Sequence, residues 1–445
     1  LYTGDISKRR IANLCRSDDA QDRQYGAELI GNMASKDSLS YLIELLHDSS
    51  TKVRIAAIKS AEKRHNAEII HALIENLANP LFSNLAKSAL VLIGKDGLAI
   101  MDNAFYRSGQ DAQVMLRIVQ IMGRIGGVEV QRLLWNKIDY PDKIISAQVL
   151  QSLSETGFKA DINQMTRIKY AIESDISDVA WNLNAYLEIP DNRFVSELRQ
   201  ATREENEHDI KHIYTLLAML YDPKSIQLVK QNLESKTSEG VTYAIELLDV
   251  LLAEDLKLKI IPILDDVSIS EKVKRLEVYY PRTKLDSTLV LKFLINRDFT
   301  QSNRWTKACT INQIGRLQLA DFKYDMIANL FNKDRMIQEM AAWALCQISE
   351  EVYIENVERL SREDQKHLNR LILNTENGQH NMELIYEKVK FLQTMELFEG
   401  VSGLVLSYVA DAMFFKRLNE GDTFAIGDTT IDFFLMVRNG ELNHY

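Results

Sequence analysis

The sequence predicts an all-α chain built as a helical solenoid, and three observations predict it. Apolar-periodic segments end at a nearly constant step: from Gly126, steps of about 31 or 32 residues reach Gly31, Lys63, Gly94, Gly157, Glu188, Leu220, Leu252, Thr283, Gly315 and Gln347. Residues that cap, open or break helices keep the same beat at Ser49, Pro80, Asp111, Asp142 and Ser174. Each interval holds two helical segments and no strand-like alternation, so a unit can bury its apolar stripe only against its neighbours.

The clearest single element is Asp111 to Gly127. Val114, Ile118, Ile121, Met122 and Ile125 fall on one stripe of an α-helix, Asp111 stands at the N-cap, and Gly126-Gly127 supply the stop.

Composition narrows the function classes. An apolar content of 46% supports a continuous core, and six prolines in 445 residues suit a mostly helical chain. A formal charge of −10 argues against wholesale phosphate binding, and the basic positions Lys8-Arg9-Arg10 and Arg203 lie among acids. Cys15, Cys309 and Cys346 are too scattered for a disulfide framework and form no CxxC pair, which points to a reducing compartment. The most apolar long stretch, Tyr243 to Leu264, carries Glu246, Asp249, Glu254, Asp255, Lys257 and Lys259, which no bilayer span tolerates.

Taken in order, the first pair of helices is expected at Ile6 to Arg16 and Asp19 to Met33. Leu42, Leu45 and Leu46 mark a further helix, His47 to Ser50 a turn, and Val53, Ala56, Ala57 and Ala61 a helix with a small-residue stripe. The run Asp48, Ser49, Val53, Arg54, Ala56, Ala57 resembles the second half of a HEAT repeat. Looser likenesses follow at Ala86 to Gly94, Val114 to Gly126, Trp305 to Gly315 and Asp334 to Ile348, so the resemblance implies an armadillo-like α-solenoid over residues 1–372.

Between Ile189 and Tyr280 the beat continues but its turn residues fade, and longer or irregular helices are expected there. This region holds Glu207 to His212, EHDIKH. His208 and His212 are spaced to share a helical face and could hold zinc, as in HExxH hydrolases. The residue after the first histidine is Asp209, a methylene short as a general base, and no third ligand is identifiable, so two surface histidines are the expected reading.

The pairs Glu204-Glu205, Asp265-Asp266 and Glu350-Glu351 point about 100° apart on a helix and do not converge on one atom. They read as solvated faces or helix ends. Trp135, Trp181, Trp305 and Trp343 fall at stripe positions and read as core, and no phosphate-cradling glycine loop or nucleophile elbow occurs. The expected set of catalytic, cofactor-binding and metal-ligating residues is therefore empty, and the chain reads as non-enzymatic.

After Leu373 the character changes. Residues 373–381 read as a polar linker, and Met382 to Phe398 as one amphipathic lead-in helix with Ile385, Val389, Leu392 and Met395 on a face. Met413–Leu418, Gly421–Asp428 and Ile431–Leu442 read as short strands of a small, incomplete antiparallel β-roll. The ordered set Leu397-Phe398, Gly421-Asp422, Gly427-Asp428, Phe433-Phe434-Leu435 and Gly440-Glu441 resembles the opening half of a cyclic-nucleotide-binding domain across residues 382–445. In that family the phosphate and ribose are held by a later cassette, which lies beyond Tyr445 in order, so no residue here carries over as a ligand to cyclic AMP or cyclic GMP.

A HEAT solenoid followed by such a domain resembles the soluble C-terminal region of bacterial ATP/ADP-translocase-like transporters fused to both. The resemblance implies a regulatory scaffold at the cytoplasmic face of a membrane protein, with a protein partner on the solenoid surface and no nucleic acid. A start at Leu1 rather than Met and a stop at Tyr445 inside the roll read as a stretch of a longer protein. Two readings stay open beside it: a plain interaction scaffold whose roll binds no nucleotide, and an enzyme, either nucleic-acid-processing or zinc-dependent.

Overall fold

In the computed structural model, the described residues are 2–31, 38–190, 195–282, 284–299, 301–373 and 381–416, with 418–419, 421–423, 435–437 and 440 beyond them. The chain divides into two compact units, residues 1–126 with 415–445, and residues 127–414. Every regular element among the described residues is helical.

Unit 1 contains α1 (Tyr2–Cys15), α2 (Ala20–Gly31), α3 (Leu39–Leu46), α4 (Thr51–Ala61), α5 (Ala67–Asn76), α6 (Pro80–Ile93), α7 (Leu98–Phe105) and α8 (Ala112–Ile125). They form two rows. In a first row α1, α3, α5 and α7 pack in succession, and in a second α2, α4, α6 and α8 do the same. Small residues set the close approach of the second row: a Cβ on Gly31 would collide with Ser60, whose hydroxyl donates to the Ala27 carbonyl at 2.8 Å. The apolar stripe Val114, Ile118, Ile121 and Met122 is buried, as its spacing requires.

Local chemistry starts and stops these helices. Asn66, Asn79 and Asp111 accept from backbone N–H groups of the turn they open, and Pro80 occupies a first-turn position where no N–H is needed. Gly94 and Gly126 end their helices at φ 68° and 64°, a conformation that a Cβ disfavours. Successive repeats are stapled by side chains that reach back to carbonyls left free at the ends of earlier helices. Arg64 donates to Ile30 O at 2.7 Å, Asn76 to Leu46 O at 3.0 Å, and Arg117 to Leu77 O.

Unit 2 opens with α9 (Val128–Trp135) and α10 (Lys143–Glu155), then departs from the beat. The turn expected at Ser174 is absent, because α11 runs unbroken from Ile162 to Glu188 with Ser174 exposed inside it. No glycine or proline interrupts this stretch, and an Asp161–Gln164 capping box starts the helix. It pairs with α12 (Ser196–Leu220), two residues shorter at 25 against 27. Against this hairpin lie α13 (Pro223–Glu234), α14 (Ser238–Leu251), α15 (Glu254–Leu264), α16 (Ile269–Leu276) and α17 (Ser287–Asn296), with α13 on α12 and α15, α16 and α17 on α11.

The stacking row resumes directly from α12 to α18 (Arg304–Arg316), then α20 (Arg335–Ile348), with α19 (Lys323–Leu330), α21 (Glu350–Val357) and α22 (Arg362–Ile372) beside α20. The expected lead-in helix is shorter than Met382–Phe398: α23 spans Ile385–Gln393, a 3₁₀ turn covers Glu396–Phe398, and a further helix, α24 (Gly403–Asp411), follows. Of the first expected strand, Met413 to Lys416 and Leu418 are described and carry no strand assignment. Most of Gly421–Asp428 and Ile431–Leu442, and linker residues 374–380, lie outside the described residues.

Candidate functional site

Of the histidine pair on α12, His212 is held by side chains of α11 and α10. His212 Nδ1 lies 2.6 Å from Asp175 Oδ2 on α11 and its Nε2 lies 3.4 Å from Ser146 Oγ on α10. His208 is half-buried, and burial followed by the nearby Lys143 charge pushes it down to about 4. Among the described residues no group of three or more His, Cys, Asp or Glu side chains could hold a metal ion.

Asp209 faces Lys143 instead of a solvent-filled cleft. The Lys143 ammonium donates to Asp209 Oδ1 at 2.6 Å and to Glu205 Oε1 at 3.0 Å, and all three side chains are nearly inaccessible. Burial opposes the charge on Lys143, but Asp209 and Glu205 outweigh it and hold the ammonium above the usual lysine range. The Asp209 carboxyl is pushed up, first by burial and against the pull of Lys143.

The same cluster reaches α18. Glu205 Oε2 accepts from the Asn303 backbone at 3.1 Å, from Asn303 Nδ2 at 2.6 Å and from Thr306 Oγ1 at 2.8 Å. Arg297 donates to Asp178 at 2.6 Å and Asn182 at 3.0 Å, and lies 4.0 Å over the Trp181 ring. The network thus welds α10, α11 and α12 to the start of α18. A groove of about 440 Å³ in unit 2, lined by residues that include Leu187, Ser270, Val273 and Arg282, contains none of these groups. The arrangement provides paired buried charge in which Asp209 Oδ2 and Asn182 Nδ2 are left without a hydrogen-bond partner among the described residues.

The second cluster joins α24 to the array. Arg304, at the start of α18, forks to Asp411 at 2.5 and 3.2 Å and to Asp334 at 3.0 Å, with Tyr408 stacked 5.0 Å from its guanidinium. Burial works against this cation, yet the hydrogen bond and charges of Asp411 and Asp334 keep it firmly protonated. At the other end of α24, the Gly403 N–H donates to Glu204 Oε2 at 2.8 Å, and a Cβ on Gly403 would collide with the Trp305 indole. Trp305 stacks on Tyr386 of α23 at 5.2 Å, and Tyr386 OH accepts from Asn312 at 2.9 Å. Glu339 of α20 accepts the Ile385 N–H at 2.9 Å. Lys388 of α23 donates to Met413 O at 2.7 Å, just past α24.

The structure therefore redistributes the sequence candidates. Glu204 and Glu205 do point apart, but Glu205 acts as a buried acceptor and Glu204 as a half-buried one. Trp305 and Trp343 are buried as expected, while Trp135 and Trp181 are half-buried platforms under Arg167 and Arg297. Cys309 is buried in α18, where burial raises its thiol well above the normal range and suppresses thiolate chemistry. Arg304, Asp411 and Gly403 gave no signal as a set, since 107 residues separate Arg304 from Asp411.

A family profile described as HEAT repeats matches residues 8–92, the stretch where the two rows of unit 1 are regular. No curated protein matches the chain. The match and the helices together support an α-solenoid with HEAT repeats in its N-terminal part, and among the described residues no helix is long and apolar enough to cross a membrane.

Proposed function

We propose that this chain is a non-catalytic regulatory scaffold, in which the HEAT solenoid couples a protein partner to a C-terminal cyclic-nucleotide-sensing domain. HEAT repeats commonly serve protein interaction, which supports the scaffold half of the reading. The observation that carries the coupling half is the Arg304 fork: it fixes Asp411, the last residue of α24, to α18 and to the Asp334 cap of α20. Whatever moves the segment after α24 pulls on the solenoid's own stacking row.

A ligand regulates such a device only by binding two arrangements of it unequally. In this reading α23 and α24 are the element with two arrangements, and Arg304 and Gly403 favour one of them. The resemblance to transporter fusions extends the proposal: the partner is a nucleotide transporter within the same protein, which places the scaffold at a cytoplasmic membrane face.

Calorimetric titration of cyclic AMP and cyclic GMP tests this, into the chain and into any longer form its gene encodes. Saturable heat that Arg304→Leu alters supports a sensor coupled to the solenoid. No heat from either form removes the sensor and leaves the plain interaction scaffold, the second reading, which the HEAT match favours on its own.

A further inference from the structure

Helices α3, α5 and α7 of the first row and α4, α6 and α8 of the second carry opposite charge, whereas α1 holds Asp5, Lys8, Arg9 and Arg10 and α2 holds Asp22, Arg23 and Glu28. First-row helices α3, α5 and α7 contain Glu44, Glu68, Glu75 and Asp102 and no lysine or arginine. Second-row helices α4, α6 and α8 contain Lys52, Arg54, Lys59, Lys87, Arg117 and Arg124 and no aspartate or glutamate. In a chain of net charge −10 this separation is not a product of bulk composition.

Two of these cations are occupied, Arg54 over the Phe82 ring and Arg117 on the Leu77 carbonyl. Lys87 is part-buried and donates to Gln120 Oε1 at 3.5 Å, while Lys52, Lys59 and Arg124 are exposed. Lys52, Lys59 and Lys63, with Ile55, line a groove of about 360 Å³ between α2 and α4, in which Glu28 is the acidic lining residue. None of the three lysines joins an ion pair among the described residues, whereas Glu44 and Glu75 of the first row are already paired with Arg16 and His47. Lys87 is pushed down by burial and by the charges of Arg124 and Arg117, so these cations crowd one another, with Asp111 acting on Arg117. Leu92 is 65% exposed on α6; Tyr25 on α2 is an exposed ring on which a base could stack, while α4, α6 and α8 expose none.

We propose that this second-row face of unit 1 is the docking surface for an acidic peptide segment of a partner protein, one that also carries an aliphatic side chain. The proposal rests on the scaffold reading and is independent of nucleotide sensing. Adjacent helix axes lie about 8–10 Å apart, so α2, α4, α6 and α8 present a strip about 25–30 Å long, which an extended peptide of about eight to ten residues covers. The cations give it charge complementarity, and Ile55 and Leu92 seat its apolar side chain.

The test is fluorescence anisotropy with a labelled peptide of Glu, Asp and Leu, its Gln/Asn counterpart, and a DNA duplex. The acidic peptide is expected to bind, to weaken as salt rises, and to lose about tenfold in affinity on Lys52→Glu/Lys59→Glu/Lys63→Glu, three exposed charges. A Lys→Gln triple variant is measured alongside, with circular dichroism on both, so that misfolding is not read as lost binding. Equal binding of the Gln/Asn peptide, unchanged affinity in the triple variants, or no binding by the unmodified chain overturns the proposal. Tighter binding of the duplex overturns it too and reassigns the face to nucleic acid. A negative cyclic-nucleotide titration leaves it standing.

Discussion

Removal of the Lys143 ammonium would leave Glu205 and Asp209 facing each other with little water to screen them. Breaking a buried pair in this way costs about 3–5 kcal/mol, far more than the pair contributes relative to a well-packed apolar substitute. Lys143→Met is therefore expected to lower unfolding stability by about that amount, with part of the loss recovered in Lys143→Met/Asp209→Asn. Urea unfolding followed by circular dichroism measures both, and a single-variant loss below about 1 kcal/mol, the exposed-pair range, would show that the cluster is solvated. His208 gives a second expectation. It titrates near 6.5 in an unfolded chain and at about 4 when folded, amid Lys143, Glu205, His212 and Asp175. Between those values the unfolded state binds more protons, so this contribution is complete above the unfolded value and is lost as pH falls through the folded one. The separation corresponds to about 3 kcal/mol at most, and His208→Gln should flatten the acid side of the stability profile relative to wild type. Asp178, Glu204 and Asp209, pushed up by burial, act in the opposite sense, so the difference between the two proteins is the informative quantity. An identical profile would rule the assignment out. The spacing of His208 and His212 was visible in the sequence; their partners, from residues as distant as Lys143 and Ser146, left no local trace.

At the scale of elements, legibility followed the turn chemistry. Gly94, Gly126, Glu188, Leu220 and Leu252 all stand at or just beyond a helix end, and at Gly94 and Gly126 the reason is a glycine stop, which acts within one turn of sequence. Ser174 misled, since a serine caps a helix only when the backbone has already left it, and nothing before Ser174 forces that exit. The polar helix α18 was recognisable as a repeat but not as the centre of its unit. Its Arg304, Thr306 and Asn312 are buried against groups from distant helices and its Lys307 against carbonyls at the end of α17, and no periodicity records that. Gly403 offers a direct test of how α24 is held. An added methyl would drive the helix off the Trp305 indole, and Gly403→Ala should destabilise the docked arrangement by about 1–3 kcal/mol. Hydrogen exchange is expected to rise across Gly403–Asp411 while α20 stays protected; unchanged exchange in α24 would mean that the indole moves aside at little cost.

Over the whole chain, the sequence period announced a solenoid but not the excursion between α12 and α18, where the stacking row skips five helices. That omission has a physical reason: the period reports that neighbours stack, and it is silent on which segments are neighbours once long helices change the count. Nearest-neighbour architecture also dictates how damage spreads, since each helix is stabilised chiefly by those it touches. Leu73 in α5 is fully buried, and Leu73→Ala removes side-chain volume that its surroundings only partly refill, at a cost of about 2–5 kcal/mol. Because α5 packs on α3, α6 and α7, the loss should surface as faster amide exchange in those helices first, while α18 and α20, satisfied by Asp411, Glu205 and Tyr386, keep their protection. Exchange resolved by peptide and followed by mass spectrometry reads this directly. If protection fell by the same factor in every helix, the chain would be unfolding as one cooperative block, and a relay that depends on local rearrangement of α23 and α24 would have no independent element on which to act.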